Sequence, residues 1–220
     1  DRATLERAAI VGEVFWDGAI LAQMRAEREA PGDVADPMTI WPDDEDLAAL
    51  EAALDRLVER GFIRDAEAQD VPGAREMRFL VAGAREKLYE RLPDQILVSR
   101  HTAVARWLAV SAELRREGIA ALIAPHLEKA GMGQRAGRAY LEAASYERKH
   151  MRTTSALRYI EKALPRIESD DVVRKIDALH EHGSLLTTVG RYDDAISAFT
   201  EMLGLAWSIG ARGKGGAALN

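Results

Sequence analysis

Apolar residues recur every three to four positions along most of the chain, the spacing that places them on one face of an α-helix. The pattern is clearest over Ala178–Trp207, which predicts two amphipathic helices joined at Gly190-Arg191. Gly183 and Ala195 are small at points where two antiparallel helices must approach closely. The apolar stripe consists of Leu179, Leu186, Ile196, Phe199 and Leu203. We therefore expect a helical hairpin whose helices pack along this stripe.

A second copy of this pattern lies 39 residues earlier in the chain. In both copies the two small residues are 12 positions apart. The shift aligns Tyr140 with Leu179, Ala144 with Gly183, Arg152 with Arg191, Ala156 with Ala195, Ile160 with Phe199 and Leu164 with Leu203. A further shift places Glu117 at the small position, so we expect the helix pair before Gly131 to be degenerate. A third unit, beginning near Gly215, would be truncated.

Helical hairpins repeated in this way resemble tetratricopeptide repeats. The resemblance implies that residues 134–220 form hairpins that stack into an α-solenoid and bind a protein or peptide partner. Residues 94–133 would form the degenerate helical pair in front of them. The fold class that we expect is therefore mainly α.

The first 93 residues follow a different pattern. Thr4–Ala30 predicts a helix or a pair of helices, and Asp44–Arg60 predicts a helix with an acidic first turn. Two short runs, Phe62-Ile63 and Met77–Val81, predict strands joined by a loop that contains Pro72-Gly73. Helices followed by a small β-hairpin are the order of a winged-helix domain, and we expect such a domain here.

Helical patterns fill the rest of the chain. Pro165 should kink or end its helix, and Pro125 lies within another helical pattern. The predicted helices are Ala84–Leu92, Gln95–Glu113, Gly118–Ala130, Gln134–His150, Thr153–Glu168, Val172–Val189 and Tyr192–Ser208.

Composition narrows the classes of function. A net charge of -6 argues against a general nucleic-acid surface. The chain has no cysteine for a disulfide, as is common in the cytoplasm, and no apolar run near the roughly 18 residues that span a membrane. It begins at Asp1 without a signal-peptide pattern, and its last residues continue a helical pattern. We expect a cytoplasmic fragment of a longer protein.

Several motifs of the first half occur in the order Leu5–Gly12, Phe15-Trp16, Leu54–Ile63, Arg78-Phe79, Arg85-Glu86 and Tyr89. Together they resemble the winged-helix domain that follows the ATPase core in bacterial multidomain signal-transduction ATPases. Those proteins join a nucleotide-binding core to helical repeats and often to a nucleotide cyclase, a serine/threonine kinase or a DNA-binding factor. The resemblance implies that ATP and magnesium bind only in an upstream domain of the parent, and that this fragment holds no cofactor.

The chain departs from that family at Leu80 and Val81. The family commonly has a basic residue and a histidine there, and the histidine can face the bound nucleotide. Two interpretations follow: the nucleotide-sensing contact is absent, or the winged helix is only a structural bridge.

Other conspicuous residues receive structural interpretations. The glycine-rich stretch Gly210–Gly216 has neither the spacing nor the Ser or Thr of a P-loop, so it predicts a turn between helices. His180 and His182 lie about 200° apart around a helix and cannot chelate one metal ion. Trp41 and Trp207 are interpreted as packing anchors. We expect no catalytic, cofactor or metal site.

The inner face of the repeats is the best candidate for a functional surface. A basic patch on the first hairpin and a smaller polar patch on the second would suit an acidic peptide. The alternative is a solvated groove that faces other parts of the parent. The residues predicted to line this groove are Arg138, Leu141, Ser145, Arg148, Lys149, Asp177, His180, Ser184 and Thr187.

Together with these resemblances, which imply a larger signalling ATPase as the parent, the patterns lead us to expect a non-catalytic regulatory and protein-interaction segment. The repeats would bind a partner or ligand, and the winged helix would couple them to the upstream nucleotide-binding domain in cis. The alternative is a segment of a transcription regulator whose winged helix contacts DNA. The helix that would enter the major groove mixes charges that suit phosphates poorly, namely Glu51, Asp55 and Glu59 with Arg56 and Arg60.

Overall fold

The computed structural model describes residues 1–28, 44–67, 73–111 and 118–210. Within these residues the chain is mainly helical and contains a three-stranded antiparallel sheet. The mainly helical class expected from the sequence is confirmed. The predicted truncated unit near Gly215 and the side chain of Trp41 lie outside the described residues.

Contacts divide the chain into two compact units. The first comprises Asp1–Arg116 and Lys129–Gly131, and the second comprises Glu117–Glu128 and Met132–Asn220. This division differs from the predicted boundaries at residues 93 and 133, because the helix Asp94–Ser111 packs within the first unit. The predicted helical pair over 94–133 is thus divided between the two units.

The first unit has five helices and three strands among its described residues. They are α1 (Arg2–Val11), β1 (Val14–Trp16), α2 (Asp17–Ala26), α3 (Asp44–Glu59), β2 (Ile63–Asp65), β3 (Glu76–Phe79), α4 (Ala84–Tyr89) and α5 (Asp94–Ser111). The strands lie in the order β1-β3-β2, with Val14 opposite Arg78 and Ile63 opposite Phe79. Their alternating side chains close one side of the core.

Thr4–Ala30, predicted to form a helix or a pair of helices, contains the helices α1 and α2, but the strand β1 between them was not predicted. Gly12 ends α1 with a φ of 154°, which favours glycine. The branched and aromatic residues of β1 then pair with β3 in an extended conformation. Phe15 is fully buried, with its ring 5.3 Å from that of Phe79. An apolar run of this length fits a helix or a strand, and the pairing partner lies some 60 residues away in sequence.

Helix α5 packs on α2 in the first unit. The contact is close at Gly18, where a Cβ atom would lie 2.7 Å from Nε1 of Trp107. The fully buried apolar side chains of this unit include Ile10, Phe15, Ile20, Leu54, Leu57, Ile63, Met77 and Leu108. Burying these side chains is the main stabilising contribution to the unit.

The second unit is entirely helical in its described residues. Its helices are α6 (Ala120–Lys129, in this unit as far as Glu128), α7 (Gly133–Lys149), α8 (Thr153–Ala163), α9 (Val172–Thr188) and α10 (Tyr192–Ser208). The predicted helices are confirmed with shifts of at most two residues at their ends, except that the helix predicted over Thr153–Glu168 ends at Ala163. Pro165 was predicted to kink or end this helix; it lies in a short 3-10 turn, Leu164–Arg166, that follows α8, so it ends the helix. Trp207, interpreted from the sequence as a packing anchor, is 65% exposed at the end of α10.

No helix in the described parts of the chain is long and apolar enough to cross a membrane.

Candidate partner-binding face

The helices α9 and α10 form an antiparallel hairpin that depends on a glycine. A Cβ atom on Gly183 of α9 would lie 2.6 Å from Cε1 of Phe199 on α10. Because this distance is well below a normal carbon–carbon contact, the ring of Phe199 fills the space that a side chain at position 183 would need. The predicted close approach at Gly183 is confirmed.

The two hairpins also share their turn geometry. Met151 and Gly190, which are 39 residues apart, have φ angles of 60° and 79°. The N–H groups of the next residues, Arg152 and Arg191, each donate a 2.9 Å hydrogen bond to a carbonyl oxygen five residues earlier. The same helix-ending motif therefore closes α7 and α9.

Helix α9 packs against helices on two sides. One buried cluster joins Leu157 of α8 to Leu185 of α9, and another joins Leu179 of α9 to Met202 of α10. These contacts determine which side of α9 is left exposed.

The nine predicted groove residues lie on α7 and α9. Five are on α7 and four are on α9. Leu141 and Ser145 are half-buried. The exposed members are Arg138, Arg148, Lys149, Asp177, His180, Ser184 and Thr187.

An ion pair links the two helices of this face. Nε of Arg148 on α7 lies 2.8 Å from Oε1 of Glu181 on α9. Glu181, which was not among the predicted groove residues, thus compensates part of the predicted basic patch. Arg138 and Lys149 form no ion pair with another described residue, so they remain the positive charges available to a partner.

The α9 side of this face offers hydroxyl groups. The hydroxyls of Ser184 and Thr187 donate to the carbonyl oxygens of His180 and Gly183, each at 2.9 Å. Their oxygen lone pairs are still able to accept hydrogen bonds. The ring of His180 lies 6.3 Å from that of Phe199, which positions the imidazole beside the hairpin core.

A narrow cleft opens at the start of α7. Its lining includes Gln134, Gly137, Arg138, Arg166, Asp171 and Arg174. Its free volume of about 10 Å³ is about the room that one water molecule needs. Arg166 and Arg174 pair with Glu128 and Asp171. Arg138 therefore borders a polar cleft that is too small for an organic ligand.

A charged network links α7 to α6 and to the 3-10 turn that follows α8. The hydroxyl of Tyr140, which is fully buried, donates a 2.6 Å hydrogen bond to Oε2 of Glu128, and Arg166 pairs with the same carboxylate. Burial raises the pKa of Glu128, but the Tyr140 hydrogen bond and the positive charge of Arg166 outweigh it and lower that pKa overall. Sequence spacing alone does not reveal this network, because its three members lie on different elements.

A second charged network joins α8, α9 and the start of α10. Arg191 pairs with Glu161 at 3.1 Å and with Asp194 at 2.7 Å. Nε2 of His182 lies 3.9 Å from Oε1 of Glu161. Burial lowers the pKa of His182, and Glu161 only partly opposes that effect. This histidine is therefore a half-buried group that favours its neutral form.

Charge pairing in the first unit bears on the DNA alternative. Arg56 and Arg60 of α3 both contact the carboxylate of Asp1, at 3.1 and 3.2 Å. Arg75, at the start of the strand β3 segment, pairs with Asp55 and Asp65 at 2.7 and 2.6 Å. The arginines on this surface are thus engaged with carboxylates of the same chain, which leaves less positive charge for phosphates.

Among the described residues, no group of three or more histidine or acidic side chains is arranged to hold a metal ion. Comparisons with protein-family models, with characterised proteins and with solved structures find no match for this chain.

Proposed function

We propose that this chain is a non-catalytic regulatory and protein-interaction segment in which the exposed face of α7 and α9 binds a peptide or protein partner. The observation that carries the proposal is the pair of matching hairpins, which hold Arg138, Lys149 and the hydroxyls of α9 on neighbouring exposed helix faces. Repeated hairpins with a polar inner face are typical of tetratricopeptide-like solenoids that bind partners.

We further propose that the first unit is a winged-helix domain that couples the repeats to a nucleotide-binding domain of a larger signalling ATPase. The element order α1-β1-α2-α3-β2-β3 and the sheet order β1-β3-β2 support this assignment. In this proposal, ATP and magnesium bind to the parent outside these residues, in the cytoplasm.

An acidic peptide titration tests the binding face. The probe is a fluorescein-labelled octapeptide of alternating glutamate and leucine, measured by anisotropy at low salt. We expect the double variant Arg138→Ala/Lys149→Ala to weaken binding about 5- to 10-fold, because each exposed charge contributes up to about 1 kcal/mol. Arg158→Ala, an exposed arginine on α8, is the matched control and should leave binding unchanged.

Equal binding by the wild-type protein and the double variant would contradict this assignment of the face. So would the absence of saturation up to about 1 mM peptide, which corresponds to a binding free energy near −4 kcal/mol.

The DNA alternative is tested with mixed-sequence duplex DNA in a mobility-shift experiment. We expect no shift of the DNA band even at low salt, because ion pairs with carboxylates already engage Arg56, Arg60 and Arg75. A salt-dependent shift that is lost in Arg56→Ala/Arg60→Ala would favour the transcription-regulator alternative. ATP hydrolysis by these 220 residues alone would contradict the non-catalytic assignment.

A further inference from the structure

Arg148, on the proposed binding face, is occupied by a carboxylate of the same chain. Its Nε atom lies 2.8 Å from Oε1 of Glu181 on α9. The side chain of Arg148 is 56% exposed and that of Glu181 is 28% exposed, so the pair lies at the surface of the face and not in the core. An acidic partner that binds on α7 and α9 would therefore meet this pair.

The geometry of this ion pair is poor. Oε1 of Glu181 is buried, and it accepts no hydrogen bond from a described group in spite of its short distance from Arg148. The nearby pair of Arg152 with Glu147 differs, because Nε and Nη2 of that arginine donate hydrogen bonds to both carboxylate oxygens. Arginine–carboxylate pairs are strongest in this forked arrangement. Arg148 and Glu181 thus form a contact that a better-placed carboxylate can replace.

Glu181 can leave Arg148 without a change in the backbone. It lies one helical turn from Asp177 and from Ser184 on the same side of α9, and both of these residues are exposed. Rotation about its side-chain bonds therefore brings the carboxylate into water. The released carboxylate gains hydration at the oxygen that is buried without a hydrogen bond in the pair, which offsets part of the lost attraction to Arg148.

We propose that Glu181 is an internal competitor of the partner: it occupies Arg148 in the free chain and is displaced by a carboxylate of the acidic segment that binds this face. This inference rests on the binding face proposed above. It also defines the partner further, since a segment without a carboxylate at this point would leave the pair intact. Arg138 and Lys149 attract the same segment, and Arg148 adds its charge only after Glu181 has moved away. A site whose arginine is occupied binds its ligand more weakly than the same site with the arginine free.

Substitution of Glu181 tests the competition, with the fluorescein-labelled glutamate–leucine octapeptide at low salt as the probe. Glu181→Gln keeps the shape of the side chain but removes its charge, so we expect the Kd to fall about 3- to 10-fold, the scale of one surface ion pair. Arg148→Ala should raise the Kd about 2- to 3-fold in the otherwise wild-type chain. In the Glu181→Gln background the same change should raise it about tenfold, because Arg148 is then free to hold the peptide.

A matched control separates this competition from a change in net charge. Asp193→Asn removes one negative charge at an exposed position on α10, outside the binding face. Because charges in water are screened over about 10 Å, this variant should keep the Kd within about twofold of the wild-type value. Circular dichroism checks that each protein variant remains folded.

The inference is overturned if Glu181→Gln leaves the Kd unchanged or raises it. It is also overturned if the gain persists after Arg148→Ala, or if Asp193→Asn produces the same gain, because net charge alone would then explain the result. These outcomes leave the proposed binding face intact, since that face is tested by the Arg138→Ala/Lys149→Ala variant. A peptide that saturates neither the wild-type chain nor Glu181→Gln would contradict both the face and the competition.

Discussion

Glycine residues in α9 and α10 differ sharply in their surroundings. Gly183 faces the ring of Phe199 at a distance that leaves no room for a side chain, whereas Gly204 has open space around it. Both are within helices, where glycine is otherwise less favourable than alanine by about 1 kcal/mol. The sequence pattern identifies Gly183 as a close-contact residue, but it does not distinguish the two environments by itself.

The substitution Gly183→Ala should therefore lower the free energy of unfolding by about 1–3 kcal/mol, because it overpacks the contact with Phe199. The same change at Gly204 should raise it by up to about 1 kcal/mol through helix propensity alone. Urea denaturation of both variants measures the difference. Equal effects of the two substitutions would contradict the close packing of α9 on α10.

Met151 provides a second test at a turn. It has a φ of 60° and is 86% exposed, whereas the corresponding turn residue of the next hairpin is Gly190. A left-handed conformation strains any residue with a Cβ atom, so Met151→Gly should stabilise the chain by about 1 kcal/mol without losing packing. The reverse change, Gly190→Met, should destabilise it by a similar amount. Thermal melting of both variants provides the comparison, and destabilisation by Met151→Gly would contradict the turn assignment.

The environment of His182 makes stability depend on pH. Burial lowers the pKa of His182, and the groups that face it are Glu161, Arg191 and Asp194. A histidine in the unfolded chain has a pKa near 6.5. As the pH falls to about that value, the unfolded chain therefore takes up a proton more readily at His182 than the folded chain does. The free energy of unfolding should then fall as the pH falls, by at most about 1.4 kcal/mol per unit for this group.

The variant His182→Gln should show a flatter dependence of unfolding free energy between pH 7 and about 5. Carboxylates with lowered pKa values, such as Glu27 and Glu128, lose their contribution only at lower pH, below about 4.5. Urea titrations at several pH values measure both proteins. Identical slopes would exclude His182 as the titrating group.

At the scale of secondary-structure elements, the first unit depends on strand β1. Its Phe15 fills the core beside Phe79, and the strand supplies the outer edge of the sheet next to β3. Phe15→Ala should lower the free energy of unfolding by about 3–5 kcal/mol, because it removes a fully buried aromatic ring. Val14→Ala, at a half-buried neighbouring position, is the control and should cost about 1 kcal/mol or less. A small effect at Phe15 would contradict the strand assignment.

The elements show what periodicity predicts well and what it misses. Helices α7, α9 and α10 were predicted within about two residues at each end, because their apolar spacing and their glycine or proline breaks are local signals. Strand β1 was missed because its partner is distant in sequence.

Contacts between elements that are distant in sequence were also missed at the predicted binding face. Periodicity groups Arg138 and Lys149 on one helix side, but the ion pair of Arg148 with Glu181 depends on how two helices pack.

At the scale of the whole molecule, the chain comprises a mixed first unit and a helical second unit. In the proposed function, the second unit binds the partner, and the first unit couples the repeats to a nucleotide-binding domain of the parent. Charge supports this assignment, because Arg56, Arg60 and Arg75 are paired within the first unit, whereas Arg138 and Lys149 form no ion pair with other described residues. A partner is thus proposed to bind at α7 and α9 of the second unit.

Hydrogen–deuterium exchange of the 220-residue chain, with and without the alternating glutamate–leucine peptide, locates the bound peptide on the chain. Ligand binding stabilises the elements that it contacts, so amide exchange reports the location of the site. We expect the peptide to slow exchange in α7 and α9 and to leave α3 and β3 unchanged, and we expect this protection to be lost in Arg138→Ala/Lys149→Ala. Protection confined to α3 and β3, or protection that persists in the double variant, would contradict it.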